Sequence, residues 1–393
     1  MDRSPALQAL GRRVRLGVIG GGGAALIGPV HRTAARFDDW IEVVAGVLSS
    51  NSDKSVAEAT ALGIPRGYRD LKTMLTSEAA RPDGIDAVAI MTPNDSHAEL
   101  AHAALDAGLD VICDKPLTND LASGLELAKK VRETGRVFCL THNYSGYPMV
   151  REARAAVAAG ELGTVHLVHV TYLQGSLGTR VEDRPEAMPD RLKWRLDPAR
   201  GGLSHVLGDI GTHAHQLVSY ITGQPVASVL ADVGAVLPGR TAHDNACVIF
   251  RLENAARGVL LATKIATGAE NALSIEVYGD RGGLVWTQAS ANELRILRDR
   301  SPAELRTRGL PTLHPLSRRA ARLPPGHPEA FFEAFANLYR DFAELVAARR
   351  TGIAPDPLAM HVPTVEDGVQ GLAFMEACLA STERGGWADC RAP

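Results

Sequence analysis

Several features are scarce or missing in these 393 residues, and each absence excludes something. Cysteine occurs only at Cys113, Cys139, Cys247, Cys378 and Cys390, an odd and scattered set without a CxxC pair. That pattern argues against a disulfide framework or a structural zinc site and fits a reducing cytosol. Charge of one sign is also lacking. A formal net charge of -3 leaves no basic excess for nucleic acid, and no polybasic stripe suggests a membrane surface. No apolar run reaches membrane-spanning length, and the opening "MDRSPALQALGRR" lacks the apolar core of a signal peptide. A soluble, cytoplasmic protein is expected. No internal repeat is visible, and the arginine-rich stretch "PLSRRAARLPPGHP" is expected to be a solvated or partner-facing loop.

What is present is a chain too long for one ordinary core, 45% apolar and 22% charged, so two globular domains are expected. The first third alternates strand and helix signals. Strands are predicted over 14–20, 42–48, 86–92, 110–114 and 137–143, separated by helical segments such as "DLASGLELAKKVRETG", which stops at Gly135. That rhythm implies right-handed crossovers and a doubly wound parallel sheet of Rossmann type over 1–145. From 146 to 393 the pattern changes. Strand runs such as "NACVIFRLENAARGVLLATKIA" and "LSIEVYGDRGGLVW" contain turn-like "ENAAR" and "GDRGG", which predicts an α+β domain with a largely antiparallel sheet. "HPEAFFEAFANLYRDFAELVAARR" reads as a long amphipathic helix, and "TVEDGVQGLAFMEACLAST" as another.

"VIGGGGAALIG" follows the first strand. Gly20 and Gly22 fit the first two positions of G-x-G-x-x-G, while Ala25 holds the third; a longer spacing makes Gly28 the glycine that opens the helix. In either reading, small residues let backbone N–H groups approach a pyrophosphate, and the helix N-terminus favours its charge. The second strand does not end in the acid that would clasp the ribose diol of NAD. It offers Ser49 and Ser50, with Lys54 nearby, and a cation beside neutral hydroxyls accommodates the 2′-phosphate of NADP. The cofactor is therefore NAD or NADP, with a lean towards NADP.

"MTPNDSHAEL" and "DVICDKPLT" end the next two strands, and "GDIGTH" comes later. Together with the glycine loop, these motifs resemble the glucose–fructose oxidoreductase/inositol dehydrogenase (Gfo/Idh/MocA) family over essentially the whole chain. The resemblance implies a two-domain NAD(P)-dependent oxidoreductase acting on a sugar, glycoside, cyclitol or related polyol held in a cleft between domains. It also implies that Thr92, Pro93, Asn94 and His97 form a cofactor-lining turn. Asp114, Lys115 and Pro116 would form the family's strand-end turn, with Lys115 holding substrate near the nicotinamide. Asn143 would line the cleft, and Trp194 and Arg195 in "KWR" would approach the cofactor from the second domain. Family members often carry an arginine two residues after that asparagine, where this chain has Ser145. Relatives of this kind are commonly dimers or tetramers, and the antiparallel sheet offers a face for a homo-oligomer.

In "HVLGDIGTHAHQLVSYITG", Asp209 and His213 stand four apart, which on an α-helix places them on one face. Alcohol oxidation requires a base for the hydroxyl proton. A histidine can serve, with a carboxylate fixing its orientation and stabilising its charged form. The family assigns these tasks to His213 and Asp209, while Lys115 would stabilise the developing alkoxide. A metal at Asp209, His213 and His215 is the competing arrangement, disfavoured because His213 and His215 are two apart and face different ways. His205 is expected to be structural or to line the cleft, and Cys113 to pack rather than react. Two other functions stay open: an enzyme that keeps its dinucleotide bound and uses transient oxidation for hydrolysis, elimination or epimerisation, and a non-enzymatic dinucleotide sensor.

Overall fold

The computed structural model describes residues 4–23, 25–184, 186 and 188–391. The chain forms two compact units. One comprises the residues up to Thr118 together with Ala122–Gly146 and Phe331–Gly368; the other comprises Asn119–Leu121, Tyr147–Ala330 and the chain from Val369 onward. The return of Phe331–Gly368 to the first unit departs from a simple division at 145/146, and its cause is apolar. Phe335, Leu338, Tyr339, Phe342 and Val346 recur at helical spacing along the helix Phe331–Thr351 and share one core with Val30, Ala34, Trp40 and Val43.

Among the described residues, six strands make the first unit's parallel sheet: β1 (Val14–Gly20), β2 (Ile41–Val47), β3 (Arg66–Gly67), β4 (Ala87–Met91), β5 (Asp110–Cys113) and β6 (Phe138–Leu140). Their order is β3-β2-β1-β4-β5-β6. The central strands are covered on both faces, as the near-continuous burial of "AVAIM" and "DVIC" requires. Strand order reverses between β1 and β4, and the crevice outside the carboxyl ends of strands at such a point is where doubly wound sheets bind ligands. The sixth strand is shorter than its apolar run suggests, because Asn143–Gly146 turns into a 3₁₀ segment.

The second unit is built on nine described strands: β7 (Val165–Leu173), β8 (Val226–Gly234), β9 (Asn245–Leu252), β10 (Arg257–Thr263), β11 (Ala272–Gly279), β12 (Gly283–Thr287), β13 (Glu293–Leu297), β14 (Glu304–Thr307) and β15 (Ala388–Asp389). Their order is β14-β13-β12-β11-β7-β10-β9-β8-β15, antiparallel except where β10 runs parallel to β7. The sheet is therefore mixed. In β9 the strict alternation of buried and exposed residues puts Ala246, Val248, Phe250 and Leu252 inside. The opposite face leaves Leu167, Ile249 and Val259 exposed.

The arginine-rich stretch is not wholly a solvated loop. Pro315–Ala320 forms a short helix that packs on the helix Pro148–Ala158, with Leu316, Ser317 and Ala320 buried. Pro315 opens it at the first helical position, and the ring of His314 accepts the Leu316 N–H at 3.1 Å. Among the described residues, no helix is long and apolar enough to cross a membrane, and all five cysteines are free thiols.

Candidate active site

In the first unit, the predicted cofactor residues gather at the carboxyl edge of the parallel sheet. Strand β1 ends on Gly20 with φ +80°, and a Cβ there would fall 2.6 Å from the Thr92 Cγ2 that follows β4. The helix Ile27–Arg36 begins after Ala25, so the longer spacing is the one the loop adopts. Gly28 lies against the loop so closely that a Cβ would stand 1.9 Å from the Gly21 carbonyl oxygen. Arg32, one turn further along, donates to that same oxygen at 2.6 Å. The resulting cradle has the small residues, tight turn and helix N-terminus that a pyrophosphate needs. In this respect the residues fit a dinucleotide.

The region predicted to read the ribose is less simple. Ser49 Oγ accepts the Asn51 N–H at 3.2 Å, and Asn51 caps the helix Ser52–Ala61 by accepting the Lys54 N–H at 2.9 Å. Ser50 is exposed beside them. Lys54 stands 3.7 Å from Glu58, a residue the sequence reading did not select. Glu58 leans onto the glycine loop: a Cβ on Gly22 would meet its Oε2 at 1.8 Å. That oxygen is buried and has no hydrogen-bond partner among the described residues.

The turns after β4 and β5 are tied together. Ser96 Oγ donates to Thr92 Oγ1 at 2.7 Å and lies 2.8 Å from the Pro93 carbonyl, closing the turn that carries Asn94. His97 is wholly buried, with Nδ1 2.8 Å from the Pro116 carbonyl and Nε2 3.0 Å from the Thr92 carbonyl. It buttresses the two turns from behind. Asp114 accepts the Lys115 backbone N–H at 2.8 Å and the Thr141 hydroxyl at 3.0 Å, so the strand-end lysine is set on a braced backbone. Asn143 is buried, and its Nδ2 has no partner among the described residues. Ser145, also buried, donates to the His142 carbonyl at 2.8 Å and closes its own turn. Cys113 packs in the sheet, and burial holds its thiol well above the usual range, hence protonated.

In the second unit, the stretch holding Asp209 is not regular α-helix. Leu207–Gly211 is π-wound and continues into the α-helix Thr212–Thr222, so the four-residue offset from Asp209 to His213 crosses a widened turn. Asp209 Oδ2 accepts from Lys264 Nζ at 2.6 Å, and Oδ1 lies 3.7 Å from Arg195. The Arg195 guanidinium also covers the Trp194 ring at 5.3 Å. His213 is buried beside Tyr172, with ring centroids 6.4 Å apart. His205 is buried too. His215 stacks on Phe374 at 4.5 Å, and burial pulls its pKa down to about 4. Among the described residues, no group of three or more His, Cys, Asp or Glu side chains is placed to hold a metal ion.

In the second unit, Lys264 belongs to no motif and is not predicted from the sequence. A signal existed: Gly258, Leu260 and Ala262 point inward along β10, and Lys264 continues that parity just beyond the strand. A lysine on the buried side of a strand requires a partner.

The family model for an oxidoreductase family with an NAD-binding Rossmann fold, GFO_IDH_MocA, matches residues 14–142, and that for the GFO/IDH/MocA C-terminal domain matches 150–285. An uncharacterized oxidoreductase of Bacillus subtilis, YfiI, is 31% identical over 381 residues, 96% of each chain. The crystal structure of an inositol dehydrogenase homolog from Azotobacter vinelandii, complexed with NADH and myo-inositol, superposes with a TM-score of 0.88 at 33% identity, covering 96% of this chain and 98% of that one. Levoglucosan dehydrogenase of Pseudarthrobacter phenanthrenivorans is 27% identical over 311 residues, 72% of this chain and 76% of its own.

Proposed function

Since the chain belongs to the Gfo/Idh/MocA family of NAD-binding oxidoreductases, we propose that it is a dehydrogenase or reductase acting on a CH–OH group of a sugar, glycoside, cyclitol or related polyol. Relatives named for inositol and levoglucosan support that substrate class. The observation that carries the reading is Lys115. It stands at the carboxyl end of β5, on a backbone braced by Asp114, along the sheet edge that also carries the glycine loop and the Thr92 turn.

The Gly20–Gly28 cradle would hold the dinucleotide phosphates, and Thr92, Pro93, Asn94 and Asn143 would line the rest of its path. When bound, the nicotinamide supplies the hydride acceptor or donor. The chain's own groups do the remainder. His213 takes the hydroxyl proton in oxidation and returns it in reduction, while Asp209 orients the ring and stabilises its charged form. Lys115 donates to the reacting oxygen and favours the alkoxide as charge develops. Ser49, Ser50 and Lys54 leave NADP tolerated. Glu58, close to Lys54 and over the loop, offsets that cation and supports NAD as the better cofactor. The exposed Leu167, Ile249 and Val259 support a homodimer or homotetramer built on the outer face of the mixed sheet. A cytoplasmic location accords with free cysteines throughout.

The test is a panel of inositols, aldoses, glycosides and anhydrosugars, each with NAD and NADP, followed by absorbance of the reduced nicotinamide. Turnover with at least one polyol is expected. Product formation without net nicotinamide reduction would redirect the assignment to bound-cofactor chemistry, and tight dinucleotide binding without turnover on any of them would point to a sensor.

A further inference from the structure

Two inward-facing rows of the second sheet end on polar residues. Val168, Val170 and Tyr172 lead to Gln174, and Leu260 and Ala262 lead to Lys264. Lys264 is 4% exposed. A buried ammonium is strongly destabilising unless acceptors surround it. Two do so here, Asp209 Oδ2 at 2.6 Å and Gln174 Oε1 at 2.8 Å. Gln174 passes the order on: its Nε2 donates to Asn271 Oδ1 at 2.6 Å, and the same oxygen accepts the Tyr172 hydroxyl at 2.8 Å. Asn271 is itself held by donating to Gln288 Oε1 at 2.9 Å. Tyr172 then presents its ring to His213.

We propose that Lys264 is a positioning residue for the acid–base pair, holding the Asp209 carboxylate directly and the Tyr172 ring beside His213 through Gln174 and Asn271. The proposal rests on the reading of Asp209 and His213 given above. Its physical motive is the π-wound turn. Asp209 sits where the backbone is widened, and a short side chain there needs an external anchor to keep one orientation. Lys264 supplies that anchor from just past the end of a central strand. Satisfying the lysine and fixing the acid are one interaction.

The test is a double-mutant cycle of Asp209→Asn, Lys264→Met and the pair, with Lys264→Arg alongside. Turnover is read with NAD and the panel polyol that the unmodified protein oxidises fastest, and NAD affinity by titration. Lys264→Met should lower kcat about 10- to 100-fold through misplacement of the pair, with KM and NAD affinity changed less than about threefold. The double variant should be no more than about threefold slower than Asp209→Asn, because both changes break one contact. Lys264→Arg should recover most of the loss. Losses that multiply, a native kcat in Lys264→Met, or an arginine variant as impaired as the methionine one would each overturn the proposal. If Lys264→Met does not fold, the double variant still decides, since it leaves no unpaired buried charge. Near-native turnover in His213→Ala, or no turnover anywhere on the panel, would instead remove the functional reading beneath it.

Discussion

The two units present their chemistry in different ways. In the first, the predicted residues lie where strands stop: Gly20 at the end of β1, Thr92 after β4, Lys115 after β5 and Asn143 after β6. Parallel strands all point their carboxyl ends to one edge, so consecutive turns become neighbours without long-range pairing. In the second unit, Asp209 depends on residues distant in sequence. Lys264 reaches it from just beyond one strand while Gln174 holds that lysine from the end of another, and Arg195 approaches from a helix. In a parallel sheet candidate site residues can be picked out from turn motifs, whereas in a mixed sheet a residue such as Lys264 shows itself only in the parity of strand residues.

The largest expected effect sharpens that contrast. His213→Ala should lower turnover by about 10²–10⁴, the range for losing a general acid–base group, while NAD affinity in titration stays near native, because the Gly20–Gly28 loop proposed to hold the dinucleotide belongs to the other unit. An equal loss of NAD affinity would erase the division of labour between the units.

His215, two residues away, should behave as a packing residue with a pH signature. Its folded pKa of about 4 lies below the usual 6.5, so the unfolded chain binds the extra proton between these values. The stability from the neutral ring is complete above pH 6.5 and is lost as pH falls towards 4, about 3 kcal/mol in all. Urea midpoints at pH 7, 5 and 4 should therefore fall less steeply in His215→Phe. Parallel decline in both proteins would show that this histidine charges as readily folded as unfolded.

Gly28→Ala should weaken NAD binding and lower the melting temperature, because the new methyl must displace the Gly21 carbonyl. Overpacking of this kind costs about 1–3 kcal/mol. Native NAD affinity would mean that the loop relaxes freely.

The smallest effect concerns the ribose. Ser50→Asp should weaken NADP relative to NAD through repulsion of the 2′-phosphate, and Glu58→Gln should shift the ratio the other way by freeing Lys54, each by a few-fold, about 1 kcal/mol or less. Unchanged ratios in paired titrations would show that neither side chain reads the 2′ position.

Much of the first unit was legible in the sequence, because strand–helix alternation and glycine placement are local properties. "VRLGVIG" forms a strand over the predicted residues, and Gly135 ends its helix with φ +61°. The assignment of Phe331–Gly368 was not legible. An amphipathic helix declares that it has an apolar face, not which core receives it. The π-wound turn at Leu207–Gly211 escaped for a related reason, since residue spacing alone does not distinguish it from an α-helix. Glu58 and Lys264 were passed over because each belongs to no motif, and only their neighbours in space give them meaning.

The most direct test of the account is Lys115→Met, which keeps an unbranched stem and removes the charge and its three donors. NAD titration and steady-state kinetics on the same folded protein should show near-native cofactor affinity, with turnover reduced by about 10²–10³, the scale of losing one preorganised donor. Normal turnover in that variant would make the strand-end lysine structural and contradict the placement of the active site.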